Sequence, residues 1–136
     1  MRIGNRRLWF LLHGWVSLPI WMLFCFVCLT GTIAVVSHEI TWLANPAARA
    51  ANPEGLPAKP LPELVASVQR AVPDGEIGQI MVFEPYLVTT VSVTTPDMPN
   101  ALAYVNPYSG EVQAVVHGLT FIGFIRSLHG WLLFPW

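Results

Sequence analysis

The chain has 136 residues, of which 54% are hydrophobic and only 11% charged, with a formal net charge of −1. Soluble domains carry about 25% charged residues, so this is a membrane composition, with room for one small domain beside one or two membrane segments. The near-neutral balance and the lack of a basic tract beyond the N-terminus argue against nucleic acid as a partner.

In chain order, the first predicted element is a membrane helix. No Asp, Glu, Lys or Arg occurs from Leu8 to Val36, and about 20 apolar residues at ~1.5 Å each suffice to cross the ~30 Å hydrocarbon layer. Arg2, Arg6 and Arg7 precede the run, which predicts a cytoplasmic N-terminus (1–7), a first membrane helix over 8–40 and an external location for the residues after it. A cleaved signal peptide is the competing reading, because "AARA" at 47–50 offers an A-x-A site. The apolar run far exceeds the 7–15 residues of a signal core, so an uncleaved anchor is expected. Pro19 lies inside the run, a tolerated break in a membrane helix. Cys25 and Cys28 fall on one helix face within it and read as small apolar side chains, not as a metal or disulfide pair.

A stretch rich in Pro and Ala (41–60) reads as an extended linker. "LPELVASVQRAVPDG" then places Leu64, Val65, Val68 and Val72 on a 3,4-spaced stripe and predicts a helix ended by Pro73-Asp74-Gly75. The period next changes to two. "EIGQIMVFEP" (76–85), "YLVTTVSVTTP" (86–96), "ALAYVNP" (101–107) and "GEVQAVV" (110–116) read as short strands, with "NPYSGEV" a tight hairpin in which Gly110 takes positive φ. One helix laid on a small antiparallel sheet is the expected domain, over 61–117.

From Leu119 the chain is apolar again, in "LTFIGFIRSLHGWLLFPW". Arg126 suits a membrane interface, and Trp131 and Trp136 suit an aromatic belt. Too few residues follow Arg126 to cross a bilayer. Residues 118–136 therefore read either as a segment along the interface or as the start of a second membrane helix in a truncated chain. Truncation is the expectation, because helix carbonyls ending in lipid would lack partners.

The tetrapeptide "LHGW" occurs at 12–15 and again at 128–131, placing His13 and His129 each at the mouth of an apolar segment. His38 stands at the far end of the first one, whereas His117 reads as a solvated surface residue. Polar groups at membrane depth are costly and mark ion, proton or cofactor sites by default. His13 and His38 are roughly 37 Å apart along one helix, too far to share a metal. His38 and His129, both expected near the outer leaflet, are the two that could meet, and facing imidazoles are the simplest way to hold a haem. The plainer alternative is that these rings lie at headgroup depth as amphipathic side chains do, with Gly14 and Gly130 easing close helix approach. No GxSxG, HExxH, P-loop, GxGxxG or CxxCH sequence is present, and the acidic residues are scattered, so no catalytic residue is assigned.

Three blocks in order carry a family resemblance. "RRLWFLLHGWVSLPIWMLFCFVCLTGTIAVVSHEI" resembles the first helix of PepSY-associated transmembrane proteins, with Thr30-Gly31 and Glu39-Ile40 at corresponding places. "YVNPYSGEVQAV" resembles the V-x-P-x-[ST]-G-E-V hairpin of a PepSY domain, and "FIGFIRSLHGWLLF" the start of the family's second helix. The resemblance implies an α+β membrane protein of the bacterial inner membrane: a long N-terminal transmembrane helix, a small periplasmic helix-plus-antiparallel-sheet domain, and the start of a second membrane helix. It further implies haem b ligated by His13 and His129, with His38 a third candidate, in a part or remnant of an electron-transfer protein that reduces ferric iron or a siderophore. Lipid is the implied partner, together with further membrane helices or a homo-oligomer that completes the bundle. The alternative it implies is a non-enzymatic module whose periplasmic domain binds a protein or restrains a peptidase.

Overall fold

A computed structural model describes residues 3–132. The chain divides into two compact units, one formed by α1 with the segment from Ile125 onward and the other by Ser37–Phe124.

In the first unit, α1 (Ile3–Val35) runs unbroken through Pro19. Trp9, Phe10, Trp15, Trp21, Met22 and Phe24 are all exposed on it, so the helix is apolar around its whole circumference, the pattern of a membrane span. Among the described residues it is the one helix long and apolar enough to cross a bilayer. Sequence alone predicts a helix continuing to residue 40, but α1 stops at Val35, and Ser37–Ala44 form a separate helix, α2, that belongs to the second unit. Contacts made by α2 within the second unit explain the assignment: His38 bonds Glu84, and Glu39 accepts from Tyr86.

The second unit is built on a four-stranded antiparallel meander in the order β1 (Glu76–Met81), β2 (Thr89–Thr94), β3 (Ala101–Val105), β4 (Val112–Val116). Alternation along the strands gives the sheet two apolar faces. Val91, Val93, Ala103 and Val105 point to one side, where helix α3 (Leu61–Ala71) covers them with Leu64 and Val68. Val72 and Ile77 complete that layer, and a bulge between Ile77 and Ile80 re-registers the edge strand. Gly75 is obligatory at the turn into β1, because a Cβ there would overlap Val93 and Val72.

The opposite face carries Leu102, Tyr104, Ala114 and Val116, and it is covered by part of the stretch whose composition predicts an extended linker. Asn45 caps a 3-10 turn (Pro46–Ala48), and Ala48 is buried against Leu87, Val88 and Tyr104. The backbone continues this contact: Ala50 N–H donates to Tyr86 O at 2.9 Å and Val88 N–H to Ala48 O at 3.1 Å. Small alanine side chains permit that approach, and paired amides compensate the buried backbone. Arg49 secures the end of α2 by donating to the carbonyls of Trp42 and Leu43 at 2.6 and 2.9 Å, with its guanidinium 4.9 Å above the Trp42 ring.

The first two predicted strands shorten at their shared boundary. Pro85 lacks a donor, and Leu87 N–H closes a turn onto Glu84 O at 2.8 Å, so residues 82–88 form a loop between β1 and β2. The hairpin is organised by Asn106, which is 4% exposed. Its Oδ1 accepts from the amides of Tyr108 and Ser109, its Nδ2 donates to Ala51 O at 3.0 Å, and Gly110 takes φ 78°. Helix α4 (Phe121–Trp131) follows β4; the expectations for Arg2, for Trp136 and for the rest of 133–136 fall outside the described residues.

Candidate functional site

The candidate histidines occupy three different settings. His13 is exposed on α1, with Nε2 3.4 Å from the hydroxyl of Ser17 one turn on, a long and weak contact. His129 lies on α4 within the same unit and reaches α1 at Thr30, its Nδ1 3.1 Å from Thr30 Oγ1. The ring lies against Gly31, where a Cβ would come within 2.9 Å of His129 Cε1. One turn earlier on α4, Ile125 is buried, as is Thr30 on α1.

The level of His129 on α1 is thereby set at Thr30–Gly31. From His13 to Thr30 the helix rises roughly 25 Å, so the two imidazoles of the repeated LHGW stand at different levels of α1 and cannot bind one iron.

His38, in the second unit, lies on α2 with Nδ1 2.9 and 2.8 Å from the two carboxylate oxygens of Glu84. Its ring meets Phe83 edge-on at 5.0 Å. Beside this pair, Tyr86 donates to Glu39 at 3.1 Å. Desolvation, and then the neighbouring carboxylates of Glu39 and Glu84, push the Tyr86 phenol above its ordinary range. The acids that look scattered in the sequence are thus partly paired in space, including Glu63 with Lys59 at 3.1 Å. Within its own unit, His38 is bonded to a carboxylate and His129 to a hydroxyl. His117 is exposed just after β4. Cys25 and Cys28 are free and exposed on α1, and no group of three or more His, Cys, Asp or Glu side chains suited to a metal ion occurs among the described residues.

The family model for the PepSY-associated TM region matches residues 10–136. The chain belongs to this family. No curated protein matches it. As a PepSY-associated transmembrane protein, it uses α1 as a membrane span, and its apolar perimeter is explained by lipid contact. The partners of the histidines are not legible in the sequence. Glu84 looks like one isolated acid there, and Thr30-Gly31 is visible only as a recurrent family pair with no role attached.

Haem ligation by histidine requires one ring nitrogen held by the protein and the other left to the iron. His129 would fit such a role on this test, since Nδ1 is engaged while the imidazole remains exposed. His13 fits less tightly, through its weak contact to Ser17. Within the first unit the two rings are roughly 25 Å apart along α1, so neither serves as the other's partner.

Proposed function

We propose that this PepSY-associated transmembrane protein contributes histidine ligands to a membrane electron-transfer assembly that reduces ferric iron or a ferric siderophore in the bacterial inner membrane. In this reading the N-terminus is cytoplasmic and the sheet unit periplasmic, in keeping with the arginines ahead of the uncharged run that starts at Leu8. The observation that carries the proposal is the pair of imidazoles, His13 and His129, at two levels of a membrane-crossing helix roughly 25 Å apart. That spacing suits two cofactor levels in one bilayer. Haem b, when bound, supplies a one-electron carrier. The chain's own residues hold the imidazoles: Thr30 and Gly31 fix the His129 ring, and Ser17 touches His13. Further membrane helices or another copy of the chain would supply the remaining ligands. His38 serves the sheet unit instead, as a clasp on Glu84.

The test is the visible spectrum of membranes from cells expressing the protein. A Soret band that is lost on His13→Ala and on His129→Ala, but survives His38→Ala, supports the proposal; membranes with no chromophore overturn it.

A second reading has its own observation. A groove of about 430 Å³ between α3 and the β3–β4 hairpin is lined by Lys59, Glu63, Ser67, Arg70, Ser109 and Glu111. Cationic and anionic groups along one cleft suit a polar segment of a partner protein, which matches a non-enzymatic binding module. This reading expects no haem, and a cross-linked partner that disappears on Arg70→Glu.

A further inference from the structure

We propose that Thr30 is a positioning residue that fixes the tautomer of His129, holding the proton on Nδ1 and keeping the lone pair of Nε2 available to a ligand. The purpose of this lock rests on the haem reading above; its existence does not.

Proton counting decides the tautomer. A threonine hydroxyl has a single hydrogen and two acceptor lone pairs. Thr30 Oγ1 lies 3.0 Å from Phe26 O and 3.1 Å from Val27 O, both carbonyls of its own helix and both unable to donate. The hydroxyl hydrogen is therefore committed to the helix, shared between those two oxygens. Toward His129 Nδ1, 3.1 Å away, the same oxygen acts as acceptor. A donor is then required on the ring, so Nδ1 bears the hydrogen and Nε2 the free pair.

Burial makes the commitment firm. Thr30 is 3% exposed, and in an apolar span no water competes for its hydroxyl. Gly31 supplies the space, because any larger residue there would displace the ring from the hydroxyl. The arrangement reproduces, with a hydroxyl, the outer contact by which proteins orient metal-binding histidines. A hydroxyl accepts more weakly than a carboxylate, so the bond from Nδ1 lends the ring little imidazolate character, which would favour reduced iron more than a carboxylate partner would.

The experiment uses the full chain without haem, in detergent micelles at about pH 8, where imidazole is neutral, with ¹⁵N-labelled histidine. The expected spectrum shows His129 Nδ1 as protonated and Nε2 as unprotonated. Thr30→Val, similar in shape but without the hydroxyl, loses this signature and reverts to the Nε2–H form that free imidazole prefers; Thr30→Ser restores it. A wild-type His129 in the Nε2–H form, or a Thr30→Val spectrum identical to wild type, overturns the proposal. In membranes carrying haem, Thr30→Val keeps the Soret band and moves the midpoint potential upward, and an unchanged potential removes the ligand-tuning role. A chain that binds no haem but shows the Nδ1–H form sinks the haem reading alone, so the two failures are distinguishable.

Discussion

His38 and Glu84 face each other across the second unit, with the imidazole Nδ1 2.9 and 2.8 Å from the two carboxylate oxygens, and this contact fastens α2 to the loop between β1 and β2. The histidine side chain is 16% exposed and the glutamate 42%, so the bond is only partly screened by solvent. Substituting His38 by Ala removes one donor to that carboxylate and the tie between α2 and the loop. The expected loss is about 1–2 kcal/mol of stability in the sheet unit, read by denaturant unfolding in detergent micelles. Glu84→Gln, which keeps an acceptor, loses less; equal losses for the two variants would contradict the clasp.

Asn106 is expected to be the most sensitive polar residue of the hairpin. Its side chain satisfies two amides and the carbonyl of Ala51 while almost wholly buried. Asn106→Ala leaves those groups without partners and costs about 1–3 kcal/mol. Asn106→Asp keeps the acceptor oxygen but removes the donor to Ala51, and unfolds at intermediate denaturant.

The α3–sheet core predicts a cavity effect. Leu64 is 2% exposed and packs with Val68 on β2 and β3. Leu64→Ala costs about 2–5 kcal/mol, whereas Val65→Ala, on the half-buried flank of the same helix, costs less than half as much. Gly75→Ala tests the opposite fault: its methyl group meets Val93 and Val72, an overpacking that costs about 1–3 kcal/mol. The same unfolding series checks all three.

Tyr104 sets an alkaline limit. Burial pushes its phenol above the ordinary 10.0, because the ionised form is poorly solvated against Ala48 and Leu87. The neutral form is favoured in the folded state. Stability contributed this way is complete below pH 10.0, where the unfolded phenol is also neutral, and is lost as pH rises through 10.0 toward the folded-state value. Tyr104→Phe removes the ionisable group, so its unfolding midpoint is expected to fall less than wild type's between about pH 9.5 and 11. Parallel curves would contradict this assignment.

Some of this organisation is readable directly from the chain. The uncharged run from Leu8 to Val36 specifies a membrane helix whatever surrounds it, because crossing lipid is a matter of length and composition. The stripe of Leu64, Val68 and Val72 and the switch to period two after Gly75 locate α3 and all four strands, since an amphipathic period is a local property. Where local signals conflict, the sequence misleads at the edges of elements. Prolines make 41–60 look like a free linker, yet alanines in the same stretch are small enough to lie flat on the second face of the sheet.

What the sequence determined by itself was thus the membrane span, the helix-and-meander domain and the family, all carried by composition, period and short motifs. Only the tertiary structure decided which polar groups serve one another. His38 and Glu84 are 46 positions apart, and Thr30 and His129 are 99 apart. No periodicity links residues so distant. Their hydrogen bonds exist because folding brings distant segments together, and a polar group at such a contact is matched by whichever partner lies within reach.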